Sequence, residues 1–342
     1  MKYLIPFLIS FSLTVISVYA VILFTSKIKW LGREGLRHIH KGNVSRLGGL
    51  AMIIVFDLVI LINKDLFISS QLYGFLISNI ILLSIYFWDD MKEIRWKIQL
   101  FGQIAVSLFV FIMGIRIYYI TNPLNGGIIK LDSGIGTIFS VLLVIFWLIL
   151  LMNSINWLDG IDGLSGGITF ITAITIFFLS FRLEVNQPPI AIMCAILMGT
   201  ILGFLVFNFY PSKILAGTTG AMFMGFSLAI LAIFAGTKIA TSLLVLAIPV
   251  VDFFWVIGER IRNKKSIFIP DRNHLHYKLM ELGWSQRKIV LSYWIVTGII
   301  AGVALNTRAI GKGVTLFLVV IIIMGVILVI NKKISKLGNA KR

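Results

Sequence analysis

One cysteine, Cys194, occurs in 342 residues, so no intrachain disulfide can hold this chain together. Acidic residues are scarce: 14 Asp and Glu stand against 31 Lys and Arg, and only 13% of the chain is charged. A soluble domain carries about 25% charged and about 45–50% apolar residues. Here 58% are hydrophobic and the mean hydropathy is +0.98. That balance excludes an ordinary soluble domain. Also missing are a Walker-A loop, a GxGxxG dinucleotide fingerprint and any tandem repeat. There is no low-complexity tract and no linker, so residues 1–342 read as a single integral-membrane domain.

What is present is a series of apolar runs near the length that crosses a bilayer, about 20 residues. They are unbroken, which excludes the alternating pattern of a membrane barrel strand. The expected fold is therefore all-α and polytopic, with about eleven transmembrane helices. They fall roughly at 3–25, 46–63, 71–87, 98–115, 138–152, 167–181, 190–209, 220–235, 238–257, 289–305 and 314–331. The N-terminal run, MKYLIPFLISFSLTVISVYAVILF, lacks a convincing small-residue cleavage site and reads as a retained first span.

The net charge of +17 would suggest a nucleic-acid partner on a soluble protein. On a membrane protein, Lys and Arg collect in cytoplasmic loops. About three quarters of the basic residues fall on one side of the expected spans, which puts the N-terminus outside and the C-terminus in the cytoplasm. Asp89, Asp90, Asn153, Asn156, Asp159, Asp162, Asp252, His274 and His276 then all lie at the cytoplasmic side. None of them entered the orientation argument. Carboxylates gathered at one face, with no repeat, argue against a secondary transporter, whose site lies near the midplane between repeated halves.

Three polar clusters carry chemistry. FWDDMKEI ends one span with Asp89 next to Asp90, and adjacent carboxylates raise each other's pKa unless a cation sits nearby. Lys92 and Arg95 could equally balance them on a solvated loop. In NSINWLDGIDGL, Asn153, Asn156, Asp159 and Asp162 recur every third residue, with Gly160 and Gly163 allowing a broken turn. Helix capping needs one such residue, not four. The basic loop IRNKKSIFIPDRNHLHYKL offers Arg262, His274 and His276, which suit a polyphosphate; a lipid-headgroup patch would need only the Lys and Arg. His38 and His40 are read as solvated, and Asp57 as a hydrogen-bond partner for a neighbouring helix.

The ordered set HKGNVSRLGGLAM, WDDMKEI, NSINWLDGIDGLSGG, GTTGAMFMG, PVVDFFWVIGERIR and PDRNHLHYKL resembles the polyprenyl-phosphate N-acetylhexosamine-1-phosphate transferases. The WecA/TagO-like branch is the nearer one, and the MraY-type muramyl-pentapeptide enzymes are more distant. The resemblance implies transfer of a sugar-1-phosphate, GlcNAc-1-phosphate foremost, from a UDP-N-acetylhexosamine to undecaprenyl phosphate. UMP leaves, and the product starts a cell-surface polysaccharide at the cytoplasmic face of the bacterial inner membrane. It implies Mg²⁺, with Mn²⁺ as a substitute. By the same pattern Asp89 and Asp90 serve the lipid phosphate and metal, Asp89 as proton acceptor. Asn156 helps hold Mg²⁺, and Asp159 and Asp162 shape the nucleotide pocket. Arg260, Arg262, His274 and His276 clasp the pyrophosphate and sugar. Arg46, Asn153 and Asp252 are further substrate-binding candidates.

One departure stands out. The family pattern is G-D-x-G with a metal-binding aspartate, and here AGTTGA puts Thr218 at that metal position. A neutral hydroxyl binds a hard dication poorly. Either another carboxylate compensates (Asp162 is the nearest), or metal binding is weaker, or the chain binds its ligands without turnover. Tyr277 follows HLH where relatives carry more histidine, which argues against the muramyl substrate.

Overall fold

The computed structural model describes residues 1–27, 44–122, 127–183, 185–236, 239–269, 271–307 and 309–340. His38 and His40 lie outside the described residues. Almost everything described is helical, as composition predicts. The exception is a short hairpin, β1 (Tyr119–Thr121) antiparallel to β2 (Ile128–Lys130).

In chain order the helices are α1 (Leu4–Lys27), α2 (Gly48–Ile62), α3 (Ser70–Lys92), α4 (Trp96–Ile112), α5 (Ile135–Leu158), α6 (Leu164–Ser180), α7 (Pro188–Asn208), α8 (Gly217–Phe234), α9 (Ile239–Val245), α10 (Ala247–Arg262), α11 (Leu275–Glu281), α12 (Gln286–Asn306) and α13 (Ala309–Ala340). The chain is a polytopic all-α membrane protein. Among the described residues seven helices are long and apolar enough to span a bilayer, or eight if α9 and α10 count as one bent span. That differs from the expected eleven. α2, α4 and α6 are apolar but only 15, 17 and 17 residues long. An apolar run in sequence does not reveal how much of it winds into helix.

α8 is the hub. It is apolar all round, and 94% of its apolar window is buried in protein, against 17% for α1 and 11% for α13. A helix with no polar face must be covered on every side, and here protein does it for α8 and lipid for α1 and α13. Small residues let the neighbours close in. A Cβ on Gly49 of α2 would run into the backbone of Gly220, and one on Gly225 would meet Leu151 and Met152 of α5. Gly199 and Gly203, the small–xxx–small pair of α7, face Phe7, Ser10, Phe11 and Thr14 of α1.

The expected span at 238–257 is broken. α9 and α10 meet at a bend of 77° around Leu246. Pro249 explains it: proline has no N–H to give the carbonyl four residues back, Val245, and its ring crowds that turn. Hydrogen bonds and side-chain contacts bring the C-terminal ends of α3, α5, α7 and α10 together with the N-terminal ends of α2, α4, α6 and α8 at one end of the bundle. The site is built there.

Candidate functional site

At the end of α3 the adjacent aspartates part company, because neighbouring helix positions point about 100° apart. Asp89 turns to the α3–α4 connection. Its Oδ1 accepts from the Ile94 N–H at 2.9 Å and the Gln99 Nε2 at 3.0 Å. Asp90 reaches the start of α8. Its Oδ1 accepts from the Thr218 N–H at 2.8 Å, and its Oδ2 from the Thr219 N–H at 3.0 Å and the Thr219 hydroxyl at 2.7 Å. The Arg46 Nε lies 3.7 Å from Asp90 Oδ1.

The 153–164 segment unwinds as its glycines allow. α5 stops at Leu158, and Gly163 takes φ +79° before α6. Asn153 donates to Gln103 Oε1 of α4 at 2.8 Å, and Gln103 donates on to the Tyr86 hydroxyl of α3 at 2.9 Å. Asn156 is half-buried, and its amide has no hydrogen-bond partner among the described residues. Asp159 accepts from the Ser165 hydroxyl. Burial pushes its carboxyl up to about 6, against the pull of Ser165 and Arg46, with Asp90 and Asp162 adding to the rise. Asp162 accepts from the Ser212 N–H at 3.0 Å, and the Gly163 N–H donates to Asn208 of α7.

The loop after α10 folds over this turn. Arg260 is buried. It pairs through two bonds with Asp271 at 3.0 and 3.1 Å, donates to the Ile267 carbonyl at 2.6 Å, and stacks its guanidinium over Trp157. Burial acts to raise the Asp271 carboxyl, but Arg260 and the Asn273 N–H outweigh it and hold it below the ordinary range. Asp252 accepts from His274 Nδ1 at 2.8 Å and the Leu275 N–H at 2.9 Å. A carboxylate only accepts, so the proton sits on Nδ1. His274 Nε2 is buried with no partner among the described residues. The His274 and His276 rings stack at 5.7 Å, and the Tyr277 hydroxyl donates to the Gly160 carbonyl at 3.4 Å. Gly160 is required at that contact, since a Cβ would strike His276 and Tyr277.

So Asp90, Thr218 and Arg46 form one group, and Asp159 shares their field with Asp162. Arg260, His274 and His276 form a second group over Trp157. Arg262 stands apart, on the rim of an apolar groove of about 560 Å³ between α5, α9–α10 and α13. Phe146, Leu150, Ala247, Phe254, Val320 and Met324 line the groove, and Glu259 shares its polar end. Gln103, Trp157, Ser165, Thr219 and Asp271 were not expected at the site. Gln103 carried a signal as a polar residue inside an apolar run, and the other four lie inside the quoted motif segments without having been singled out.

The metal set expected at this site is Asn156, Asp90 and Thr218. A hard dication of this size favours charged oxygen donors and near-ideal octahedral geometry. The one carboxylate in the set has both oxygens committed to α8, and Thr218 contributes a neutral hydroxyl. Among the described residues no three His, Cys, Asp or Glu side chains are grouped to hold a metal. These residues do not fit a resident Mg²⁺.

A family model described as glycosyl transferase family 4 matches residues 72–236, from α3 through α8. The chain is 30% identical over 302 residues to a decaprenyl-phosphate N-acetylglucosaminephosphotransferase of Mycobacterium leprae, covering 79% of this chain and 75% of that one. It is 25% identical over 334 residues to a probable undecaprenyl-phosphate N-acetylglucosaminyl 1-phosphate transferase of Bacillus subtilis, covering 95% and 91%. A phospho-N-acetylmuramoyl-pentapeptide-transferase of Halalkalibacterium halodurans is 30% identical over 318 residues, covering 86% and 93%.

Proposed function

Because the chain belongs to glycosyl transferase family 4, among the polyprenyl-phosphate hexosamine-1-phosphate transferases, we propose that it moves GlcNAc-1-phosphate from UDP-GlcNAc to undecaprenyl phosphate. An oxygen of the lipid phosphate attacks the β-phosphorus, the bond from that phosphorus to the bridging oxygen breaks, and UMP leaves. The product is undecaprenyl-diphospho-GlcNAc, made at the cytoplasmic face of the inner membrane as the first step of a cell-surface polysaccharide. One observation carries this reading: the apolar groove ends at Glu259 and Arg262, and Glu259 pairs at 3.2 Å with Lys278 of α11, the helix whose Tyr277 covers the 153–164 turn. That juxtaposition suits a reactant with a prenyl tail and a phosphate head meeting a water-soluble partner.

The protein's part in phosphoryl transfer is positioning and charge neutralisation. In this proposal Arg46, Arg260, Arg262, His274 and His276 supply positive charge or hydrogen-bond donors to the diphosphate. Asp159, Asp162 and Asn153 shape the nucleotide side, and Asp89 takes the proton of the lipid phosphate when it arrives as a monoanion. A Mg²⁺ or Mn²⁺ taking part would supply charge neutralisation to the diphosphate and would come with the nucleotide sugar rather than be held by Asn156, Asp90 and Thr218. The test is UMP release from UDP-GlcNAc with undecaprenyl phosphate, repeated across a panel of UDP-sugars that includes the muramyl-pentapeptide. UMP release from UDP-GlcNAc supports the reading, and turnover of the muramyl nucleotide alone would replace it.

Thr218 favours a second reading, a homologue that binds polyprenyl phosphate or nucleotide sugar without turnover. Well-folded protein that releases no UMP, with release restored by Thr218→Asp, would select it.

A further inference from the structure

The carboxylate of Asp90 and the first turn of α8 make a contact that neither sequence spacing nor the proposed chemistry calls for. The first N–H groups of any helix lack intrahelical partners and carry the positive end of its dipole. α8 starts at Gly217, and no side chain of its own N-cap residue, Ala216, accepts from them. Asp90 does so from another helix. It accepts from two backbone N–H groups and one hydroxyl, all within 3.0 Å, and is almost fully buried while doing it.

The surrounding backbone is built for this. Gly217 takes φ +70°, and a Cβ there would collide with Asp90 and the Arg46 carbonyl. The N–H groups of Gly48 and Gly49 donate to the carbonyls of Leu215 and Ala216, so α2 is clamped to the same turn. Helices α2, α3 and α8 are thereby tied at one point. A second carboxylate at position 218 would stand beside the first, and two carboxylates at one site need a cation between them or a lost charge. Thr218 removes that demand.

We infer that Asp90 is an N-terminal cap for α8 supplied by α3, and that the 90–218 pair serves as a metal-free lock rather than a resident divalent-cation site. The role rests on the transferase reading only for its setting, since the lock is a property of this chain's own hydrogen bonds. Two consequences follow. The lock holds together without any ion, and the N-terminus of α8 is closed to the substrate's phosphates because an anion already fills it.

The experiment is a Mn²⁺ titration of the full-length detergent-purified protein without nucleotide, read by the free-ion electron paramagnetic resonance signal, alongside thermal unfolding. Wild type should leave the free signal undiminished. Thr218→Asp should create a site at least about tenfold tighter than wild type. Asp90→Asn should lower the unfolding temperature and leave Mn²⁺ behaviour unchanged. If Asp90→Asn fails to fold, Thr219→Val removes a single bond of the lock and should lower Tm by about 2–4 °C. Stoichiometric Mn²⁺ binding by wild type that Asp90→Asn abolishes would overturn the inference, as would a Thr219→Val protein of unchanged Tm. A chain that releases no UMP yet behaves as expected here would defeat the transferase reading and leave the lock standing.

Discussion

Burial pushes the Asp159 carboxyl up to about 6, so in the folded protein it holds its proton at pH values where the unfolded chain has lost it. Its ionisation therefore opposes folding. The penalty is absent below the unfolded value of about 4, grows as pH rises through the window from about 4 to 6, and is complete above it. Asp159→Asn should raise stability near neutral pH, by roughly 1–3 kcal/mol, and flatten the pH dependence between about 4 and 6. Thermal unfolding of both proteins at pH 5 and 7 checks this; a variant that is less stable at pH 7 would contradict it. Asp252 makes a second prediction. Asp252→Ala strands the Leu275 N–H and His274 Nδ1, which should cost about 1–3 kcal/mol and release the loop over Trp157. Denaturant unfolding and the KM for the UDP-sugar measure the two effects. At this scale the sequence marked the polar residues of 153–162 as unusual in an apolar setting but not what each one touches. Spacing along the chain says nothing of Gln103 on α4, Ser165 on α6 or the Ser212 N–H beyond α7, because those contacts depend on how the helices pack.

Between α2 and α3, Asn79 donates to Asp57 at 2.7 Å, the interhelix role expected for Asp57. The pair joins α3, which carries Asp90 near its end, to α2, which follows Arg46 by two residues. Asp57→Ala should cost about 1–3 kcal/mol because it leaves a buried amide unpaired, while Asp57→Leu with Asn79→Leu should cost less than either single change. Unfolding of Asp57→Ala, the two single leucine variants and the double variant in mixed micelles gives the comparison, and additive losses in the leucine set would refute a shared bond. Gly49→Ala should destabilise by about 1–3 kcal/mol, since its Cβ meets backbone at Gly220 that cannot move aside. The Gly199–Gly203 contact with α1 was legible as a spacing of small residues. The bend at Leu246 was not, although Pro249 was in view in the middle of the expected span, because membrane helices often carry a proline with only a slight kink.

The bundle as a whole puts an inert hub, α8, under a polar end, and lets α10 lean away from α9 to open the groove beside α5 and α13. Class and membrane character were readable from composition, because scarce charge and repeated long apolar runs suit little besides helices in a bilayer. The groove was not, since its lining comes from helices distant in sequence. Val250→Trp should narrow it, raising KM for polyprenyl phosphate several-fold while leaving KM for the UDP-sugar unchanged; equal shifts in both would place the tail elsewhere. Phe146, Phe254 and Met324 on the lining are exposed on the bundle's outer surface, which in a membrane means exposed to acyl chains. A tail seated there spills sideways into the bilayer after its first few isoprene units. The protein then has no ruler for the rest of the chain, and decaprenyl and undecaprenyl carriers should serve it alike, the choice being left to whichever isoprenoid the host membrane makes.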